Sequence, residues 1–177
     1  MRIVDLEIPG PKLIHLDEHE DERGLVFEVH RQSRYADGGI DDTFVQDTCS
    51  RSRRGVVRGL HLQIPHDQSK LVMVLEGRVW DVAVDARPDS PHRGRWVGVE
   101  LGRARQFYIP PGFAHGFVAL EDAVMLYKLS REWRPGDDRT IAWNDPEIGI
   151  DWPLPCEPIL SPKDAAGTPF GEYLAAL

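Results

Sequence analysis

The sequence predicts an all-β fold of short strands closed into a sandwich or barrel, with a few short helices at the periphery. Three observations predict it. Sixteen glycines and fourteen prolines interrupt the 177 residues so often that no long amphipathic helical period survives. The apolar runs between them are short and rich in Val, Ile and aromatic residues, as strands are. These runs recur with turn residues between them, the spacing of sandwiches and barrels. With 41% apolar residues the chain can build one real core, so residues 1–177 read as a single domain. Its core spans about residues 20–130, and a C-terminal wrapping segment covers about 131–177.

Each element follows in chain order. Arg2–Leu6 is a candidate N-terminal strand, and Gln32–Gly39 a short helix. Val56–Gln63, Lys70–Leu75, Arg78–Asp85, Trp96–Leu101, Gln106–Ile109, Gly116–Leu120 and Val124–Leu129 read as the central strands. Glu76-Gly77 between two of them predicts a tight hairpin. Arg134–Pro158, rich in Pro, Asp and Trp, reads as irregular wrapping, and Pro162–Leu177 as helical. There is no internal repeat, low-complexity tract or linker.

Net charge is −8. An acidic surface argues against nucleic-acid binding, because phosphate attraction needs a basic one. It leaves room for a small anion held by a local Arg and Lys cluster. Cys49 and Cys156 form no CxxC motif or disulfide framework, which suits a reducing cytosol. No apolar run approaches the roughly 18 residues of a membrane span, and the N-terminus has no apolar leader. The expectation is a soluble cytoplasmic protein.

Strand alternation sorts the side chains by face. It groups Val57, Gly59, His61 and Gln63, then Lys70, Val72 and Val74, then Met125, Tyr127 and Leu129. One His, one Lys and one Tyr among apolar neighbours suit chemistry better than packing. Two motifs also resemble those of cupins: Gly55 to His61 has the G-x5-H spacing, and Pro110 to His115 reads P-x-G-x-x-H. The second ligand position of the first motif is Gln63 rather than His, and no Glu follows it in Pro65–Lys70. Two His and a Gln are too few for a transition metal, which normally takes three or more His or carboxylate ligands. The expectation is a cupin-like jelly roll, a double-stranded β-helix, without a metal.

Nine stretches in order and at compatible spacing then resemble the dTDP-4-dehydrorhamnose 3,5-epimerase family. They include Asp21-Glu22-Arg23-Gly24, Phe44-Val45-Gln46-Asp47, Arg58–Gln63, Lys70-Leu71-Val72, Gly77–Asp85, Gly112–Phe117 and Ser161–Asp164. The resemblance implies epimerisation beside the C4 ketone of a nucleotide-linked 4-keto-6-deoxyhexose, by way of an enolate. It implies no cofactor, which agrees with the lack of a Gly-rich dinucleotide loop. His61 is similar to the general base, and Asp164 to the carboxylate that orients it. Lys70 resembles the cation beside the C4 oxygen. Tyr127 resembles the general acid, a phenol still protonated at neutral pH.

Binding roles carry over in the same way. Arg23, Arg58 and Lys163 match diphosphate contacts. Glu28, Gln46, Asp47, Thr48, His115 and Asp138 fall where the family meets nucleotide or sugar. Thr48 stands where Asn is usual, Asp138 where Glu is usual, and Leu25-Val26 where an aromatic pair often follows Arg23-Gly24. Trp133 stands where Tyr is frequent. These departures touch recognition and leave the acid–base set intact. The resemblance also implies a homodimer, often formed by exchanging N-terminal strands. Three other readings stay open: an epimerase acting at C3 or C5 alone, a metal-dependent cupin, and a non-catalytic sugar-binding cupin.

Overall fold

The computed structural model describes residues 1–177. Strands β1 (Arg2–Asp5), β2 (Lys12–His15), β3 (Glu18–Asp21) and β4 (Gly24–Phe27) precede a short helix, α1 (Gln32–Ala36). The centre comprises β5 (Gln46–Ser52), β6 (Val57–Gln63), β7 (Lys70–Glu76), β8 (Val79–Asp85), β9 (Trp96–Leu101), β10 (Arg105–Ile109), β11 (Phe113–Ala119) and β12 (Ala123–Leu129). A 3-10 turn (Pro135–Asp137), β13 (Asp138–Thr140), α2 (Pro162–Ala165) and α3 (Phe170–Ala175) follow.

The central strands pair in nested order: β8 with β9, β7 with β10, β6 with β11, and β5 with β12, all antiparallel. A long hairpin rolled in this way deals its pairs alternately into two sheets, which is the jelly roll. The larger sheet runs β1-β2-β10-β7-β12-β5 and the smaller β13-β6-β11-β8-β9. The rolling corrects one expectation. Glu76-Gly77 is no hairpin turn, because β7 and β8 lie in different sheets and the turn crosses between them. The C-terminal helix is also interrupted. Segment 166–169, with Gly167 and Pro169, separates α2 from α3.

Three apolar layers hold the sheets. Between them lie Val72, Val74, Val79, Ala83, Val97, Val99, Phe107, Phe113, Phe117 and Met125. The outer face of the smaller sheet buries Leu60, Leu62, Val82, Val84 and Ala114 under Ile141, Ile148, Phe170 and Tyr173 of the wrapping segment. The outer face of the larger sheet buries Ile14, Leu71 and Tyr108 under Tyr35 and Ile40. Covering both faces explains why every residue of β11 is buried and why it shows no polar alternation. β1 and β2 join the larger sheet within the same chain, so pairing begins well before residue 20. No helix is long and apolar enough to cross a membrane.

The register between β6 and β11 positions the site. His61 faces His115 and Arg58 faces Phe117, so β6 spends three residues where β11 spends two. The extra residue is a β-bulge. It turns Arg58 and His61 to the same inner side and sends Leu60 into the outer layer. Simple alternation, which grouped Gly59 with His61, fails here for that reason. The bulge needs glycine. Gly59 has φ +128°, and a Cβ on it would stand 2.5 Å from Gly116 Cα and 2.8 Å from His115 O. A Cβ on Gly116 would stand 2.8 Å from Arg58 O.

Either Gly59→Ala or Gly116→Ala is expected to lower unfolding free energy by about 2 kcal/mol or more, since backbone rather than a flexible side chain must yield. Urea denaturation measures this, and an unchanged midpoint would show that the bulge tolerates a side chain.

Candidate active site

Between the two sheets lies a cavity of about 390 Å³. Of the side chains expected in a site, Gln46, Thr48, Arg58, His61, Lys70, His115, Tyr127, Asp138 and Lys163 line it. His61 comes from β6 of the smaller sheet and Tyr127 from β12 of the larger, so they stand on opposite walls.

Behind His61, Nε2 lies 2.5 Å from Asp164 Oδ1. Asp164 itself is buried in the first turn of α2. There Ser161 Oγ caps the helix, accepting from Asp164 N at 3.1 Å and donating to Oδ2 at 2.7 Å. The amide of Gly59, freed at the bulge, donates to Oδ1 at 3.3 Å. Burial by itself would raise the Asp164 carboxyl, but the bonds from His61, Ser161 and Gly59 together hold it below the usual carboxylate range. An ionised Asp164 fixes the proton on the near ring nitrogen of His61 and leaves the other as a base.

Lys70 opens β7 and is buried, with Nζ donating to His61 O at 2.9 Å. Burial pulls its pKa down to about 8, against the upward pull of Asp67, Asp138 and Asp81. Its ammonium is stripped of water, so any developing negative charge nearby is strongly attracted.

His115 and Asp81 form a second buried pair, Nε2 to Oδ1 at 2.8 Å. Burial lowers the imidazole and raises the carboxyl, and Asp81 Oδ2 has no partner. The His115 ring meets that of Tyr127 edge-on at 6.2 Å. Tyr127 OH lies 3.0 Å from Ser50 Oγ. Burial raises this phenol well above its ordinary value, so it stays a donor.

At the rim, Arg58 Nε donates to Ser52 Oγ at 3.0 Å, and Lys163 pairs with Asp138. Trp133, half-exposed, also borders the cavity. Gln63, at the cupin ligand position, is tied to the backbone of Arg134 through both ends of its amide, at 2.9 and 3.0 Å. No three His, Cys, Asp or Glu side chains converge as a metal would require.

Besides Asp164, which stands behind His61, three expected residues do not reach the cavity. Arg23 sits at the tip of the β3–β4 hairpin with its side chain 85% exposed, paired to Asp21. Glu28 bridges Arg31 and Arg34. Asp47 points outward from β5 to Lys128 at 2.8 Å. Two side chains at the site escaped the sequence reading. Ser50 follows Gln46 and Thr48 at period two, but polar β5 gives no strand signal. Asp81 lies inside the Gly77–Asp85 stretch with no candidate role, and only the pairing of β8 with β11 brings it to His115.

The chain has known relatives. A family model described as dTDP-4-dehydrorhamnose 3,5-epimerase matches residues 5–172. The chain is 48% identical over 176 residues to the dTDP-4-dehydrorhamnose 3,5-epimerase of Pseudomonas aeruginosa, with 97% of each covered. It is similar, with a TM-score of 0.94 and 46% identity, to the crystal structure of dTDP-6-deoxy-D-glucose-3,5-epimerase from Legionella pneumophila in complex with dTDP-4-keto-L-rhamnose. That match covers 98% of this chain and 96% of the other. A 3'-monoepimerase from Streptomyces bikiniensis, in complex with dTDP-quinovose, gives a TM-score of 0.91 at 32% identity over 98% and 91% of the two chains. The chain belongs to the dTDP-4-dehydrorhamnose 3,5-epimerase family.

Proposed function

We propose that this chain epimerises C3 and C5 of a dTDP-4-keto-6-deoxyhexose, converting dTDP-4-dehydro-6-deoxyglucose to dTDP-4-dehydrorhamnose for deoxysugar supply. One arrangement carries the reading: a carboxylate-oriented imidazole and a protonated phenol on facing sheets, with a desolvated ammonium at the same cavity. His61 removes the acidic proton next to the ketone. Lys70 stabilises the enolate oxygen as charge develops there. Tyr127 delivers a proton from the opposite face, which inverts the centre. No cofactor takes part. Arg58 and Lys163 supply cations for the diphosphate, and Trp133 offers an aromatic face to the nucleotide base.

The homodimer belongs to the same proposal. The β3–β4 hairpin pairs only with itself, and Val26 on it is two-thirds exposed. It carries Arg23 away from its own cavity, and Glu28 follows directly after it, so a second copy is the natural recipient. With free Cys49 and Cys156, we place the protein in the cytoplasm.

In heavy water the protein is expected to exchange hydrogen for deuterium at both C3 and C5 of dTDP-4-keto-6-deoxyglucose, followed by NMR. Exchange at one carbon would make it a single-centre epimerase; exchange at neither, with folded protein, would refute the reading. His61→Ala is expected to slow exchange roughly 10²–10⁴-fold, and Lys70→Met roughly 10²–10³-fold. Because the charged form of Lys70 is the useful one and is lost above pH about 8, kcat/KM should fall on the alkaline side near there. Lys70→Met should lack that limb. Chelator treatment should leave the rate unchanged; a loss restored by added metal would revive the metal-dependent reading. Sedimentation should give a dimer, and a monomer would remove the proposed hand-over of Arg23 and Glu28.

A further inference from the structure

The proposed reaction makes a demand that the acid–base set alone does not meet. Each inversion moves one proton onto His61 and one off Tyr127. Two inversions on one substrate therefore require Tyr127 to be reprotonated between them. With a sugar seated between the two walls, the cavity side of the phenol is covered. Its other neighbours are Met125 Sδ at 3.7 Å, which has no proton to give, and Ser50 Oγ at 3.0 Å. Ser50 is half-buried on β5, the edge strand of the larger sheet, and it lines the cavity on the face shared with Thr48. Its hydroxyl is thus the one hydrogen-bonding oxygen that touches Tyr127 and also stands next to an edge open to water.

We propose that Ser50 is a positioning residue that returns the proton to Tyr127 between the two inversions. The inference rests on Tyr127 being the acid. Once the phenol has given its proton to the enolate carbon, Ser50 Oγ–H passes its proton to the phenolate oxygen. Ser50 Oγ in the same step takes a proton from water at the cavity edge. The hydroxide left behind is neutralised by the proton that His61 took from the substrate and releases. One C–H bond breaks and one forms at each centre, one O–H breaks and one forms at each oxygen of the relay, and nothing is oxidised or reduced. The burial that keeps Tyr127 a phenol also makes a lingering phenolate costly, so a hydroxyl donor at this position has a use in every half-reaction.

The test is single turnover in heavy water with enzyme in excess, quenched in time and read by NMR as deuterium at C3 and at C5. The readout is the ratio of the second inversion rate to the first. Ser50→Ala is expected to lower that ratio roughly 10- to 100-fold, part of what general acid catalysis supplies, so that singly inverted sugar accumulates. Ser50→Thr, which keeps the hydroxyl, should restore the ratio. A substitution that merely disturbed the pocket would slow both centres together, and an unchanged ratio in Ser50→Ala would overturn the relay. Tyr127→Phe separates the two levels: if it retains both inversions, the assignment of the acid fails and the relay with it. If Tyr127→Phe loses inversion while Ser50→Ala keeps the ratio, only the relay fails.

Discussion

The close approach of Gly59 to Gly116 is the constraint on which the site depends. It admits one extra residue into β6, and three consequences follow from that single insertion. Arg58 and His61 face inward together. Leu60 turns outward and ties the strand to the wrapping segment. The Gly59 amide, no longer spent on the ladder, holds Asp164. The register of the sheet and the orientation of the proposed base are therefore one local event, and loss of the bulge would separate them.

A second constraint is electrostatic. The cavity gathers Lys70, His115, Asp81 and Asp164 in or beside a buried apolar shell. Taking isolated charges out of water costs far more than any single contact returns. The fold answers by pairing: Asp164 with His61, Asp81 with His115, and Lys70 with a carbonyl. Two of these groups stay incompletely paired in a useful direction. Lys70 keeps capacity to bind an anion, and Asp81 keeps an unpartnered oxygen. A site fully satisfied in its resting state would have little left with which to stabilise an enolate.

Much of this was legible in the sequence because it obeys local rules. The seven central strands announce themselves by short β-branched and aromatic runs, and His61, Lys70 and Tyr127 stand out as polar residues among them. What was not legible depends on pairing between distant segments. Polar β3 and β5 give no strand signal, since edge strands gain their backbone bonds from a neighbour rather than from apolar burial. The crossover at Glu76-Gly77 looks like a hairpin in sequence, and only the nested order of the roll shows otherwise. Alternation failed between Arg58 and His61 because a bulge changes the count without changing the composition. Ser50 and Asp81 were missed because each acts through a partner on another strand.

The placement of Asp164 has a consequence for the timing of synthesis. All thirteen strands precede it in the chain, so His61 and Tyr127 are synthesised before the carboxylate that orients the ring. Until Asp164 is made, the imidazole of His61 has no carboxylate to choose between its tautomers. The wrapping segment that carries Asp164 also covers Leu60, Leu62, Val82 and Val84, so the outer layer and the oriented base belong to the same stretch of chain. A chain released before residue 141 would lack both the cover of its smaller sheet and the partner of its imidazole.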